Sequence, residues 1–239
     1  GDMLSVTTFV VAGDPATYNA GDTATIAGVG TVLLASDGSY TFTPDADWNG
    51  TVPAITYTLS DGEGGSDTAD LVITVDPVND APVASGTIAD QSDDDAGVVA
   101  GVATSSFFSD IDGDVLGYSA SGLPAGLSID PVTGVISGTI DNSASQGGPA
   151  SDGVYSVTVT ADDGNGGTVD QTFTWTVANP APVANDDAAS TDEDVAVSGN
   201  VIGSGGAGDV ADSDADGDVL SVTTFVVAGD PATYNAGDT

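Results

Sequence analysis

Residues 155–160 (YSVTVT) and 173–177 (FTWTV) decide the fold class of this chain, because apolar and hydroxyl side chains alternate in both. A period of two places one set of side chains on a buried face and the other set in solvent, which is typical of a half-buried antiparallel strand. Residues 39–43 (SYTFT) and 71–75 (LVITV) continue the pattern in the first third of the chain. We therefore expect an all-β fold.

The residues between these stretches are typical turn formers. Asp61-Gly62, Asp130-Pro131 and Asn165-Gly166 are examples, and the chain contains 33 Gly and 11 Pro. No long stretch has the 3.6-residue period of a helix. Short strands separated by regular turns predict antiparallel β-sandwiches of the immunoglobulin type.

Two proline-bearing linkers divide the chain, at residues 75–84 (VDPVNDAPVA) and 177–184 (VANPAPVA). Proline stiffens a linker and cannot donate a hydrogen bond inside a central strand. We predict a complete sandwich at 79–180, the C-terminal part of a sandwich at 1–78 and the N-terminal part of the next at 181–239.

The beginning and the end of the sequence are nearly the same. Residues 217–239 repeat residues 1–23 with one change, Met3 to Val219, at an offset of 216 residues (217 minus 1). A fixed long period indicates a tandem array. We therefore expect about one period of a longer repetitive protein, whose partners are neighbouring repeats. Two forms stay open: a continuous polypeptide, and separate copies that join end to end.

The chain is strongly acidic and has no cationic side chain. It contains 37 Asp and Glu residues and no Lys, Arg or His, so its formal net charge is −37. Its carboxylates must stay in water, stay apart or share metal cations. This charge argues against nucleic acid and anionic membranes as partners, since both bind basic surfaces. Without an apolar run of about 18 residues, we expect no membrane insertion in this segment.

The same composition limits the chemistry of the chain. Without His, Lys, Arg or Cys it cannot form the usual nucleophilic triads, Schiff bases or basic phosphate clamps. Two carboxylates can hydrolyse a glycoside, but these aspartates cluster in short linear loops, which suits ion coordination better. We therefore expect no enzyme. Without cysteine the chain is not a disulfide scaffold, and bound cations are the substitute cross-link.

Two short loops carry the strongest chemical signal, because their aspartates occupy alternate positions beside a glycine. Such carboxylates converge when the loop curls, and oxygen ligands without His or Cys favour Ca²⁺. An EF-hand is unsuitable, since flanking helices and the closing Glu are missing. The alternative is a pair of solvated Asp-Gly turns. The predicted ligands are Asp110, Asp112 and Asp114 in one loop, and Asp212, Asp214, Asp216 and Asp218 in the other.

Residues 37–45 (DGSYTFTPD), 48–51 (WNGT) and 57–62 (YTLSDG) resemble the VCBS-type, cadherin-like repeats of giant bacterial adhesins. Residues 122–129 (GLPAGLSI) and 133–139 (TGVISGT) resemble the putative Ig module, a dystroglycan-type cadherin-like domain. Together the two resemblances cover nearly the whole chain. They imply tandem β-sandwiches arranged end to end in a long, secreted, RTX-type protein of the bacterial cell surface.

The resemblance also implies calcium sites at the domain junctions, because cadherin linkers share ions with both neighbouring domains. Since Ala178 and Asn179 replace linker carboxylates at the second junction, we expect fewer or weaker ions and a more compliant hinge there. The first-junction candidates are Asp45 or Asp47, Asp76, Asn79, Asp80, Asp110, Asp112 and Asp162, and Asp61 is a further candidate ligand. Glu193 fits the cadherin ligand near the first strand, but that segment is missing from 1–78, so we expect the first junction to lack this ligand unless another chain supplies it. The second-junction candidates are Asp94, Asp95, Asp152, Asp214 and Asp216.

Two functions without catalysis stay open. One is a Ca²⁺-rigidified extender in adhesion or biofilm, which holds a distal adhesive part whose ligand lies outside this segment. The other is a module that itself binds a carbohydrate or a protein. Near-identical repetition favours the extender, since a spacer tolerates duplication. Trp48, Trp175, Phe107 and Phe108 suggest a sugar-stacking platform less strongly than they suggest core packing.

Overall fold

The computed structural model describes residues 3–204 and 208–237. Residues 1, 2, 205–207, 238 and 239, which belong to the two predicted partial domains and in part to the repeated segment, lie outside the described residues. The chain divides into two compact units, Gly1–Asp80 and Ala81–Thr239, each described here by itself. The predicted boundary at residue 180 stays a prediction.

The described part of the first unit contains nine strands. They are β1 (Ser5–Val11), β2 (Thr17–Asn19), β3 (Thr23–Ile26), β4 (Gly30–Leu34), β5 (Tyr40–Pro44), β6 (Gly50–Thr51), β7 (Ile55–Ser60), β8 (Ser66–Leu71) and β9 (Thr74–Val75).

Two antiparallel sheets bury one core in the first unit. One sheet has the order β2-β1-β7-β8 and the other has the order β3-β4-β5, while β6 pairs with β9. Phe9 and Val11 of β1, Val32 of β4 and Ile55 of β7 are all buried in the same cluster. The alternation along β1 and β4 therefore supplies the inward-facing side chains of both sheets.

The described part of the second unit contains eleven strands and two short 3₁₀ turns, at Ser105–Phe107 and Ala144–Gln146. The strands are β10 (Val83–Ala84), β11 (Gln91–Asp94), β12 (Val98–Ala103), β13 (Phe108–Ser109), β14 (Gly117–Ser121), β15 (Leu127–Ile129), β16 (Val135–Thr139), β17 (Val154–Asp162), β18 (Thr168–Ala178), β19 (Thr224–Val226) and β20 (Thr233–Asn235).

Residues 81–178, which we call the middle sandwich, contain the core of the second unit. One sheet has the order β11-β18-β17-β14, with β11 parallel to β18, and the facing sheet has the order β12-β16-β15. Val157 and Val159 of β17, Trp175 of β18 and Ile136 of β16 have essentially no exposed surface. The predicted all-β fold and β-sandwich architecture are confirmed.

Residues 179–237, which we call the third segment, contain fewer regular elements in their described part. Strands β19 and β20 form a hairpin in which Phe225 stacks on Tyr234 at a ring-centroid distance of 5.2 Å. An isolated bridge pairs Val183 with Ser213. Within residues 3–204 and 208–237, no helix is long and apolar enough to cross a membrane.

Candidate metal centres

The first acidic loop lies between β13 and β14, and its own backbone curls it. The Oδ1 atom of Asp110 accepts the backbone N–H of Asp112 at 2.9 Å and that of Asp114 at 3.3 Å. One carboxylate oxygen from each of the three residues lies within 4.8 Å of the others. The alternate spacing that the sequence shows therefore brings three carboxylates together.

These three carboxylates fit a bound cation. The Oδ2 atom of Asp110 is buried and has no hydrogen-bond donor, while Asp114 Oδ2 accepts the Nδ2 group of Asn165 at 2.8 Å. No Lys, Arg or His exists in the chain to neutralise them. An all-oxygen donor set of this kind suits Ca²⁺, so the cluster can hold a metal ion.

Asp162 lies at the end of β17, where its Oδ1 atom accepts the backbone N–H of Gly164 at 2.7 Å. Within the described chain, the group of three close carboxylates does not include Asp162. The next residue, Asp163, begins a turn that the sequence predicts, but it was not predicted as a ligand. It is buried and accepts the N–H groups of Asn165 and Gly167 at 2.7 and 2.9 Å, so it holds the β17–β18 turn.

Asp61 holds the corresponding turn of the first unit, between β7 and β8. Its Oδ1 atom accepts the N–H groups of Glu63 at 2.8 Å and Gly65 at 2.9 Å. These two hydrogen bonds lower the pKa of the Asp61 carboxyl. One carboxylate oxygen of Asp61 is thus already used by the turn, and a role in metal binding stays a prediction.

The other predicted ligands of the first unit are exposed. Asp45 and Asp47 follow β5, and Asp47 has a left-handed backbone with φ of 58°. Asp76, Asn79 and Asp80 follow β9, and the Asn79 side-chain amide donates to the backbone carbonyl of Asp80 at 3.3 Å. Their places in an ion site stay predictions.

The second acidic loop has the same internal curl as the first. The Oδ1 atom of Asp214 accepts the N–H groups of Asp216 at 3.2 Å and Asp218 at 3.3 Å. The backbone carbonyl of Asp216 accepts the Nδ2 group of Asn142, which belongs to the middle sandwich, at 3.2 Å. Asp212 Oδ1 accepts the backbone N–H of Asn185 at 2.7 Å. The loop is therefore tied to the middle sandwich through Asn142, a residue that no sequence motif identifies.

Asp216 is the most enclosed carboxylate of this loop, with only 6% of its surface exposed. When Asp214 and Asp216 are both ionised, neither oxygen of Asp216 has a hydrogen-bond donor. A proton shared with Asp214 raises the pKa of Asp216 and lowers that of Asp214. Because a buried carboxylate without a donor is costly, a cation beside Asp216 fits this site.

Three further predicted ligands belong to the middle sandwich. Asp95 is 3% exposed, and its Oδ1 atom accepts the N–H of Ser145 at 2.8 Å while its Oδ2 atom has no donor. Asp94 is exposed at the end of β11, and exposed Asp152 accepts the N–H of Val154 at 3.1 Å. Of these three, only Asp95 has an enclosed oxygen free for a cation.

Glu193 lies in an exposed turn of the third segment, beside Asp194. The described residues around it, 189–201, form no strand. Its predicted place near the first strand of a sandwich therefore stays a prediction.

The four aromatic residues that the sequence suggested as a stacking platform, Trp48, Phe107, Phe108 and Trp175, pack in or against the cores. Trp175 is fully buried, and its Nε1 atom donates to Asp93 Oδ2 at 2.9 Å. Phe108 is also buried, and the partly buried Trp48 packs against the first-unit core. These side chains do not form an exposed stacking platform.

Comparison with known families agrees with this architecture. Residues 4–77 match the bacterial cadherin-like domain family, and residues 81–178 match the putative Ig domain family, He_PIG. Two adjoining segments of the chain are thus similar to these two families, one after the other. The cadherin-like and Ig-like repeats expected from the sequence are therefore confirmed. None of the curated proteins matches the chain.

Solved structures with a similar fold include cadherin ectodomains. Human CDH23 EC21-23 has a TM-score of 0.50 and 18% identity, with 82% of this chain and 66% of that chain covered. Mouse Cadherin-23 EC22-24 has a TM-score of 0.47 and 15% identity, with 77% and 58% covered. At these identities the likeness shows the fold alone. The chain spans less than half the length of the first solved structures it matches.

Proposed function

We propose that this chain is a calcium-stiffened extender repeat of a long protein secreted to the bacterial cell surface, where it serves adhesion or biofilm formation. The observation that carries this proposal is the cluster of Asp110, Asp112 and Asp114. Its carboxylate oxygens lie within 4.8 Å of one another, in a chain without any cationic side chain. The similarity of residues 4–77 and 81–178 to cadherin-like and Ig-like repeat families supports a structural role for such a cluster.

Calcium is the cation that this donor set favours, because Ca²⁺ binds six to eight oxygen ligands in flexible geometry. Asp110, Asp112 and Asp114 would hold one ion, and Asp214 and Asp216 would hold another. The linker carboxylates Asp76 and Asp80 would add ligands as in the cadherin resemblance. An ion in each loop removes the repulsion between its carboxylates and fixes the loop conformation.

Spacing, rather than catalysis or ligand capture, is the role we assign. Without His, Lys, Arg or Cys, the usual nucleophilic triads, Schiff bases and basic phosphate clamps have no candidate residues in this sequence. The alternative of carbohydrate binding would need exposed aromatic rings, and Trp175 and Phe108 are buried. The adhesive ligand would therefore be bound by another part of the protein, with VCBS-type or RTX-type repeats as neighbours.

Thermal unfolding of the full chain with calcium and with chelator tests the proposal. We expect a large rise in the midpoint with calcium, for the reasons worked out in the Discussion. Coinciding midpoints in the two solutions would contradict a calcium-stiffened repeat.

A further inference from the structure

The chain contains two Asn-Gly dipeptides, Asn49-Gly50 in the first unit and Asn165-Gly166 in the middle sandwich. In such a dipeptide the glycine nitrogen can attack the side-chain amide of the asparagine, because glycine has no side chain that blocks the approach. The attack needs an accessible glycine N–H that no hydrogen bond holds. The surroundings of the two glycines therefore decide which asparagine can react.

The N–H of Gly50 is held in a sheet. Gly50 lies in β6 opposite Val75 of β9, and the N–H of Val52 donates to the Ile73 carbonyl at 2.9 Å. Residue pairs of an antiparallel ladder alternate between hydrogen-bonded and non-bonded pairs. Since Val52 belongs to a bonded pair, the pair two residues earlier is bonded too, and the Gly50 N–H donates to the Val75 carbonyl. The Trp48 ring also lies 3.6 Å from the place of a Cβ on Gly50.

The N–H of Gly166 has no such partner. Gly166 lies in the turn between β17 and β18, where Asp163 accepts the N–H groups of Asn165 and Gly167 on either side. Within the described part of the chain, no hydrogen bond holds the N–H of Gly166 itself. The residue is exposed, and a Cβ placed on it would meet no atom within 4 Å. The Gly166 nitrogen is therefore accessible for reaction.

The side chain of Asn165 is accessible as well. Asn165 is exposed, and its Nδ2 group donates to Asp114 Oδ2 at 2.8 Å. This bond engages only the amide nitrogen, so it leaves the Cγ atom open to attack by the Gly166 nitrogen. It also places the amide at the edge of the first acidic loop, which contains Asp110, Asp112 and Asp114.

We propose that Asn165 is a site of spontaneous deamidation, and that the reaction adds a fourth carboxylate beside the first acidic loop. The Gly166 nitrogen forms a bond to Cγ of Asn165 while the bond from Cγ to Nδ2 breaks. The proton of the Gly166 N–H passes through water to the departing Nδ2 group, which leaves as ammonia. The resulting succinimide takes up one water molecule, which opens the ring at either carbonyl. The products are aspartate and isoaspartate at position 165.

A related turn of the first unit shows that this position tolerates a carboxylate. Residues 61–65 (DGEGG) match residues 163–167 (DGNGG), with Glu63 in the place of Asn165. In both motifs the first aspartate accepts the N–H groups of the third and fifth residues. The distances are 2.8 and 2.9 Å in the first unit, and 2.7 and 2.9 Å in the middle sandwich. The aspartate product is therefore compatible with the turn.

The effect of the reaction lies in the charge beside Asp114. The amide of Asn165 donates a hydrogen bond to Asp114, whereas a carboxylate only accepts, so the product loses this bond and repels Asp114. Isoaspartate also routes the backbone through Cβ, which lengthens the turn by one atom. No Lys, Arg or His exists in the chain to neutralise the added charge. We therefore expect the product to be less stable than the natural chain when no cation is bound.

Ageing of the full chain, followed by peptide mass spectrometry, tests the proposal. The folded chain is kept at mildly alkaline pH in chelator, since base removes the glycine N–H proton and the reaction needs no ion. Cleavage after aromatic residues releases residues 49–57 and 156–173, each with one asparagine, and fragmentation locates the mass gain. We expect Asn165 to react at least about ten times faster than Asn49, because the Gly50 N–H must first leave its ladder.

Denaturant provides the matched control, because neither dipeptide is held in the unfolded chain. The reaction rates of Asn49 and Asn165 should converge there. Equal rates in the folded chain, or no mass gain at Asn165, would overturn the proposal. A preference for Asn165 that persists unchanged in denaturant would overturn it too, since the cause would then be local sequence and not the structure.

Two variants at one position test the effect on the acidic loop. Asn165→Asp supplies the carboxylate of the product, and Asn165→Ala removes the hydrogen bond to Asp114 without adding charge. In chelator at low salt we expect the Asn165→Asp chain to melt below the Asn165→Ala chain, with a gap that narrows as salt screens the charges. Equal midpoints at low salt would overturn the proposed effect. The calcium shift of the wild-type chain reports on the proposed function separately, since deamidation is followed in chelator.

Discussion

Chelation of calcium should lower the melting temperature of the wild-type chain far more than that of a chain with a changed first acidic loop. The perturbation is chelation of the wild-type chain, compared with chelation of the double variant Asp110→Asn and Asp112→Asn. Asparagine at position 110 keeps the Oδ1 acceptor for the N–H groups of Asp112 and Asp114. The variant therefore changes the charge of the loop and leaves its curl intact.

Two free energies decide the expected midpoints: the carboxylate repulsion that the variant relieves in chelator, and the stabilisation of wild type by ion binding. Two unit charges 4.8 Å apart repel by about 0.9 kcal/mol in water. We take this value as the repulsion between the partly buried carboxylates of Asp110 and Asp114 in the calcium-free loop. A calcium ion at a concentration about a hundredfold above its Kd adds about 2.7 kcal/mol to the free energy of unfolding. For a sandwich of about 100 residues, each kcal/mol shifts Tm by at least about 4 °C. The Kd already includes the relief of the repulsion, so we expect a wild-type shift of roughly 11 °C or more.

Differential scanning calorimetry of both chains, with calcium and with chelator, gives the four midpoints required. The variant should melt below wild type in calcium, and at or above wild type in chelator, because the loop has lost part of its repulsion. Asp130→Asn is the matched control: it removes one charge from a turn of the same sandwich whose carboxylate accepts two N–H groups. It should keep the full calcium shift. A variant that melts below wild type by the same amount in both solutions would refute the reasoning.

Two further predictions concern turns of the middle sandwich. Gly122 and Gly164 both have positive φ, but a Cβ at Gly122 would collide with the carbonyl oxygen of Ser156 whereas Gly164 has open space. In denaturant titrations, Gly164→Ala should lower the free energy of unfolding by about 1 kcal/mol, and Gly122→Ala should lower it by at least about twice as much. Equal losses in the two variants would contradict the collision at Gly122. The N–H groups of Thr133 and Val132 lower the pKa of Asp130 below 3.8. Its contribution to stability is therefore complete above that value and is lost as the pH falls through the lowered pKa. The difference in free energy of unfolding between wild type and Asp130→Ala should shrink below about pH 4. A difference that stays constant across that range would contradict a stabilising role of the ionised Asp130 carboxylate.

Much of the fold could be predicted from local patterns. The alternation at residues 155–160 and 173–177 predicted β17 and β18, because one buried side chain per two residues is a property of each strand by itself. The parallel pairing of β11 with β18 could not be predicted, since Gln91–Asp94 is polar and short. Its place depends on contacts with a strand far along the chain, such as the bond from Trp175 to Asp93.

The candidate sites show the same limit. The alternate aspartates of both loops predicted the curl. In each loop the first of them accepts the N–H groups of the residues two and four positions later, so the curl depends on local sequence alone. The burial of Asp216 and its tie to Asn142 depend on how the third segment meets the middle sandwich. Asp163 resembles any other Asp-Gly residue in the sequence, and only its enclosure between β17 and β18 identifies it as the holder of the turn.

The central claim, that calcium stiffens this repeat, is tested most directly by a distance distribution between the two units. Spin labels attached at Asp67→Cys in β8 and Ser128→Cys in β15, two exposed strand positions, would be measured by pulsed electron paramagnetic resonance. A narrow distribution in calcium that broadens in chelator is the predicted result. Distributions of equal width in the two solutions would contradict the claim.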